Sequence, residues 1–270
     1  MTIRPQRSWL PADPKELWAF RELLVRFSAR DLTLRYRQTA LGVLWVVLQP
    51  LLAAGILAFV FGSVAGLAAP PGIPYFVFSL AGMIAWNTFS QTALRASGSL
   101  LGNAQLVSKV FFPRLLLPLS AVGSTLVDTG VSVVLLVGLM VVNGVAPGWA
   151  VVLVPVWLVL LLAASLGVGL ATGALMVRYR DVQYVLPVAI QFLLFASPIA
   201  YTLASVPPHA QWAYKLNPLT GLLEGFRWSV LGMRRPSIGL MLYAAGASII
   251  GMLVGTAIFN RAERQFADVI

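Results

Sequence analysis

The sequence predicts an all-α integral membrane protein. It has six transmembrane helices, an N-terminal amphipathic helix lying along the membrane surface, and external re-entrant helices between spans 5 and 6. Three observations carry this reading. Residues 38–94 contain no Asp, Glu, Lys, Arg or His, and residues 115–177 contain Asp128 as their only charge. Each stretch has room for two helices of the roughly 20 apolar residues that cross a hydrocarbon core. The 270-residue chain is 59% hydrophobic and 10% charged, with a mean hydropathy of +0.86, whereas soluble domains carry about 25% charged residues. The apolar runs show no period-two alternation, which leaves helices rather than a closed barrel to pair every backbone amide in lipid.

The leader, residues 1–40, opens irregularly. Asp13, Pro14 and Glu16 then form a helix start, with a cap, a proline at the first helical position and an acid three residues after the cap. Leu17, Phe20, Leu24, Phe27 and Leu34 fall on one face, and Lys15, Glu22, Arg26, Arg30 and Arg37 on another. That pattern suits an interfacial helix; a surface helix of a small soluble cap is the alternative. Six spans follow near 41–67, 75–94, 115–142, 149–177, 184–204 and 237–260. The turns 69–74 and 143–148 are rich in Pro and Gly and carry no charge. Residues 205–236 are too apolar for a solvated loop and too interrupted for a full crossing, so one or two short helices dipping into the outer leaflet are expected there. The tail is 261–270. The length implies a single membrane domain, 1–270, of which 41–260 is the six-span part.

Segments 1–40, 95–114, 178–183 and 261–270 hold 15 of the 19 Lys and Arg, and 205–236 holds the other four. By the positive-inside rule both termini are expected in the cytoplasm. The net charge of +10 therefore reads as a topology signal beside membrane lipids, and no nucleic-acid partner is expected. A cleaved signal peptide is not expected either. The first span follows a charged leader and exceeds the about 7–15 apolar residues of a signal core.

The chain contains no G-x-x-x-x-G-K-[ST]; its lysines are Lys15, Lys109 and Lys215. No phosphate-cradling loop of its own is expected. Cysteine is absent and His209 is the only histidine, poor material for a metal site. Asp128 stands alone in mid-span. It can face a dimer axis, pair with Ser124, Thr125 or Thr129, or be protonated and packed. A self-sufficient secondary transporter or channel would need a charged relay or broken half-helices. An intramembrane enzyme would need paired acids, histidines or a Ser-Lys pair. Neither set is evident.

In the inside loop 95–114, Gly98 and Gly102 mark one end and Pro113 the other. Residues 103–111 can form a short helix with Leu106, Val107 and Val110 on one side, either docking on a cytoplasmic partner or merely connecting two spans. Trp86, Asn87, Phe89, Ser90 and Gln91 combine aromatic faces with hydrogen-bonding groups. Trp86 and Phe89, three apart, share a helix face, as do Phe192 and Phe195; lining a pore and packing on neighbours are both open to them. Glu224 and Arg227, also three apart, form a local salt bridge or shape an outer gate.

Several motifs then occur in register. They are Arg35-Tyr36-Arg37-Gln38-Thr39-Ala40-Leu41-Gly42-Val43-Leu44-Trp45 with Gln49-Pro50-Leu51, Lys109-Val110-Phe111-Phe112-Pro113-Arg114, and Tyr179-Arg180-Asp181-Val182. Ser197-Pro198-Ile199-Ala200-Tyr201 and Leu216-Asn217-Pro218-Leu219 complete the set. Together they resemble the permease subunits of type 2 ABC transporters that export O-antigen polysaccharide or teichoic acid. The resemblance implies a homodimer in the bacterial inner membrane, served by two copies of a cytoplasmic ABC ATPase. ATP and Mg would sit in that partner, and this chain would hold no cofactor, metal or catalytic residue. The substrate would be a lipid-linked glycan threaded through the dimer interface. The resemblance places coupling to the ATPase in the 95–114 segment, with Asn103, Gln105, Leu106, Lys109, Val110, Phe111, Phe112 and Arg114. Arg180 and Asp181 join this set, with fixing the turn as their alternative role. The candidate channel set is Tyr36, Trp86, Phe89, Gln91, Phe192 and Phe195. Teichoic acid, drug or lipid export is the alternative within the same superfamily.

Overall fold

The computed structural model describes residues 18–36, 44–110 and 112–263, the side chains of residues 35, 36 and 108 excepted. The described residues form helices and connectors with no strand. The α-helices are α1 (Arg21–Tyr36), α2 (Leu44–Leu57), α3 (Tyr75–Gly102), α4 (Ala104–Lys109), α5 (Leu116–Val142), α6 (Val154–Arg178), α7 (Val182–Phe195), α8 (Gln211–Leu216), α9 (Pro218–Leu231) and α10 (Ile238–Glu263). A π-helix, Ala58–Val64, extends α2, and a 3₁₀ turn, Trp149–Leu153, leads into α6.

Among the described residues, four helical stretches are long and apolar enough to cross a membrane: Leu44–Val64, Leu116–Val142, Trp149–Arg178 and Ile238–Glu263. The chain is a multi-pass membrane protein. Helix α3 has 28 residues, about 42 Å at 1.5 Å each, but is more polar. Helix α7 is apolar but has only 14 residues, about 21 Å, short of the ~30 Å core.

Helices α3 and α6 form the centre. They pack on each other, α6 also on α10 and α3 also on α5. Lipid tails are as apolar as leucine, so association in a membrane relies on close backbone approach and van der Waals contact. The crossing of α6 and α10 illustrates this. A Cβ added at Gly255 would collide with the backbone of Gly167, and one at Gly167 with the backbone of Gly251 and Met252. The main core gathers Phe78, Leu80, Ile84, Trp86, Phe89, Leu136, Leu161, Leu222 and Phe226.

Several expected boundaries shift. Span 2 does not end at Leu94: α3 runs through Arg95 and Gly98 to Gly102, so the connector to α5 is shorter than predicted. Span 5 is not continuous over 184–204. Helix α7 stops at Phe195, before Ser197-Pro198, since the residue ahead of a proline is pushed away from helical backbone. The expected leader start at Asp13, Pro14 and Glu16, with Lys15 and Leu17, lies outside the described residues, as do Arg37 and 41–43 at the start of span 1.

The leader helix α1 is also bound more closely than an interfacial helix lying free. It packs along α5, and the Ser28 hydroxyl donates to Ser120 O at 3.1 Å. Phe27 is buried, while Leu34, assigned to the same face, is 69% exposed. Between α7 and α10, short helices α8 and α9 occupy the segment expected to hold them. Helix α9 starts with Asn217, whose side-chain oxygen accepts from Leu219 N at 3.0 Å, and with Pro218 at the first helical position. It ends at Gly232, in the left-handed region at φ 66°.

Candidate functional site

One end of the bundle brings the coupling candidates together. A second apolar cluster there joins Phe27 of α1, Val107 of α4, Phe112, Leu115 to Leu117, Leu170, Ala174 and Val177 of α6, and Phe259 of α10. Helix α4 stands on this cluster. Its preceding residue, Asn103, anchors it twice: the side-chain NH2 donates to Ser99 O at 2.8 Å, and Oδ1 accepts from Arg30 Nη2 at 2.6 Å. The Arg30 guanidinium also lies over the Phe27 ring, and Phe27 meets Phe112 edge-on at 5.6 Å. Helix α1 thus buttresses α4.

The coupling candidates divide on this platform. Leu106 packs inward with Val107, and Phe112 is buried. Gln105 and Lys109 are exposed, and so is Val110, which follows the helix in extended backbone rather than sharing the inner side with Leu106. Arg114 donates to Glu263 O at 2.7 Å, where a cation meets the negative end of α10. Arg180 and Asp181 are exposed in the turn between α6 and α7. Phe111 lies outside the described residues.

The channel candidates are not brought into one path within the subunit. Trp86 and Phe89 do share a face, with ring centroids 5.9 Å apart, but that face is buried in the main core with Leu186 and Ile190 of α7. Phe192 and Phe195 stand on the exposed side of α7, at 71% and 66% exposure. Tyr36 closes α1, and its side chain lies outside the described residues.

Gln91 points another way. With Trp45, Val46, Gln49 and Pro50 of α2, Ile84, Asn87, Thr88 and Arg95 of α3, and Thr125, Asp128, Thr129 and Ser132 of α5, it lines a cavity of about 260 Å³. Asp128 is not without a charged partner. Arg95 Nη2 lies 2.7 Å from its Oδ2, and Arg95 Nη1 reaches Thr125 Oγ1 at 3.2 Å and Ser124 Oγ at 3.4 Å. The threonine pair Thr88 and Thr129 is joined at 2.9 Å. The ion pair is hidden in the sequence because a charge at the end of an apolar run, as at Arg95, ordinarily marks a span boundary, whereas α3 continues through it. The four-residue spacing of Asn87, Gln91 and Arg95 was the available signal for a polar helix face.

The opposite end holds the break after α7. The guanidinium of Arg227, fully buried, donates to Pro198 O at 2.8 Å, Tyr201 O at 3.1 Å and Ile199 O at 3.2 Å. Its salt bridge to Glu224, expected from their spacing, measures 2.9 Å, and Glu224 also accepts from Leu203 N at 3.0 Å. Irregular backbone deep in a membrane protein is tolerated where protein satisfies its polar groups, and one arginine does so here for three carbonyls.

Residues 22–231 match the family model described as ABC-2 type transporter. The chain belongs to the ABC-2 type transporter family. It is 30% identical over 254 residues to an O-antigen export system permease protein RfbA of Klebsiella pneumoniae, covering 92% of this chain and 95% of the relative. It is 28% identical over 258 residues to the Myxococcus xanthus protein of the same description, covering 95% and 98%. It is 29% identical over 242 residues to the polysialic acid transport protein KpsM of Escherichia coli, covering 87% and 91%. These relatives are thus described as export permeases and a transport protein, and ABC-2 permeases in general work with an ABC ATPase.

Proposed function

We propose that this chain is the membrane subunit of an ATP-driven exporter that moves a lipid-linked cell-surface polysaccharide of O-antigen type across the bacterial inner membrane. The observation that carries this reading is similarity to O-antigen export permeases over more than nine-tenths of both chains. In this reading α3 and α7 complete six spans with the four longer stretches, α7 being continued by the broken segment after Phe195. Helices α8 and α9 form the external re-entrant region. The end bearing α4 is cytoplasmic, with both termini; the excess of Lys and Arg in the segments at that end supports the orientation.

Two copies of an ABC ATPase, which hold ATP and Mg, dock at α4 and the Arg180-Asp181 turn. Exposed Gln105, Lys109 and Val110 suit contact with the ATPase. Leu106, Phe112 and Arg114 suit holding the helix in place, and Asn103 with Arg30 suits passing its motion to α1. Two copies of the chain form the pore. The exposed apolar faces of α2 and its π-helical extension, with Leu52, Ile56 and Phe59, and of α7, with Tyr184, Val188, Phe192 and Phe195, supply surface for a two-fold interface. Phe192 and Phe195 offer the aromatic faces on which sugar rings slide.

The test is export in a strain lacking its own permease and supplied with this chain and a matching ATPase. Surface glycan that requires both proteins supports the reading, and none with both present defeats it. The similarity to a polysialic acid transporter favours a second reading, in which the cargo is an acidic capsule polymer. The same strain carrying capsule rather than O-antigen genes separates the two.

A further inference from the structure

The cavity between α2, α3 and α5 carries an inference that rests on the export reading and deepens it. We propose that it is a subsite for one uncharged sugar ring.

The polar face of α3 is the first ground. Asn87, Gln91 and Arg95 follow one another at four-residue intervals, so they stand in a row on one side of the helix, while the other side of α3 is core. A helix that packs in lipid needs no such row.

The state of these groups is the second. Arg95 and Asp128 hold each other, and Thr88 and Thr129 do the same. Among the described residues no hydrogen bond joins the carboxamides of Gln49, Asn87 and Gln91 to the protein, although all three line the cavity. Each carboxamide brings two donors and an acceptor; Asn87 and Gln91 are half-buried and Gln49 is exposed, so all three stay within reach of a ligand. A polyol answers donors and acceptors at once, which neither an anion nor a hydrocarbon does.

Charge and size give the third. Among the described residues the one cation and the one anion of the lining, Arg95 and Asp128, are joined to each other, which favours an uncharged ligand over a phosphate or a carboxylate. Trp45, 48% exposed at the rim, offers an aromatic face to the C–H side of a ring. The volume of about 260 Å³ lies just under the range of small-molecule sites, about 300–1,000 Å³. It is large enough for a single ring.

The test uses the whole chain in lipid nanodiscs and saturation-transfer NMR with methyl glycosides of glucose, galactose, mannose and N-acetylglucosamine as probes. At least one glycoside is expected to take up saturation. Its affinity is expected to fall about five- to tenfold for each lost hydrogen-bonding amide, in Asn87→Leu and in Gln91→Leu. Gln49→Leu, at the exposed edge with little packing to lose, gives the same readout should the α3 variants fail to fold. Absence of saturation for every glycoside, or equal affinity in the variants, overturns the subsite. Competition by a soluble oligosaccharide or by a glycosyl-diacylglycerol in the disc upholds it, and assigns the ring to the polymer or to a lipid headgroup respectively. Wild-type export without glycoside binding sinks the subsite alone; glycoside binding without export in the complemented strain sinks the export reading alone.

Discussion

Arg227 and Glu224 sit one helical turn apart on α9 with guanidinium and carboxylate 2.9 Å apart, and together they bind the backbone of residues 198–203 from one side. The Arg227 guanidinium also lies 4.5 Å from the centre of the Phe78 ring of α3. The pair is therefore more than a local ion pair: it joins the break after α7 to the central helix. Removing one member of a buried pair leaves the other uncompensated, at about 3–5 kcal/mol. Arg227→Met is expected to lower the thermal unfolding midpoint in detergent sharply and to reduce recovery of folded protein. Arg227→Lys keeps the charge but loses the planar fork, and is expected to rescue only part of the loss. An unchanged midpoint for Arg227→Met would remove the clamp.

The crossing of α6 and α10 yields a contrast between two glycines four residues apart. Gly255 has no room for a Cβ against Gly167, whereas a Cβ at Gly251 meets nothing within 4 Å. Gly255→Ala is expected to destabilise the protein by forcing the helices apart. Gly251→Ala is expected to be neutral or to stabilise by up to about 1 kcal/mol through helix propensity. Thermal melts of the two variants check the order, and reversal of that order would contradict the packing.

The aromatic candidates separate by burial. Trp86→Ala empties a core site at a cost of about 3–5 kcal/mol, so any loss of export should track loss of folded protein. Phe192→Ala and Phe195→Ala, on the exposed side of α7, are expected to leave the amount of folded protein near wild type while slowing export. Immunoblot and surface-glycan measurements on the same cells distinguish the two behaviours. Full export by the Phe192→Ala, Phe195→Ala double variant would take α7 out of the path.

The α1–α4 contact makes a prediction about coupling. Arg30→Ala and Asn103→Ala each break the 2.6 Å bond, and the double variant should be little worse than either, a coupling energy of about 1.5–3 kcal/mol for a hydrogen bond to a charged group. Lys109→Glu combined with Val110→Asp, at the exposed surface of the α4 segment, should leave the protein inserted and folded but disconnect ATP hydrolysis from export. Export unaffected by those charges would place the ATPase elsewhere.

Much of this architecture is written in local patterns. Charge-free stretches locate the long helices, Asn217-Pro218 locates the start of α9, and Ser197-Pro198 carries the signal that ends α7. What local pattern conceals is partnership. Arg95 resembles a span boundary because a charge usually marks one, yet it continues α3 and meets Asp128, 33 positions away. The spacing of Trp86 and Phe89 fixes their common face, but the direction of that face depends on α7, whose path no local residue determines. Arg227 advertises a bond to Glu224 three residues back; its three carbonyl partners belong to a segment that is irregular and so has no periodicity to read.

The most direct measurement reconstitutes this chain with an ABC ATPase in liposomes and follows a lipid-linked O-polysaccharide from the ATPase side to the other. The account predicts transfer only when both proteins and ATP are present, lost when the ATPase is catalytically dead. Transfer driven by an ion gradient with this chain alone, or ATP-dependent assembly that moves no glycan, would contradict it.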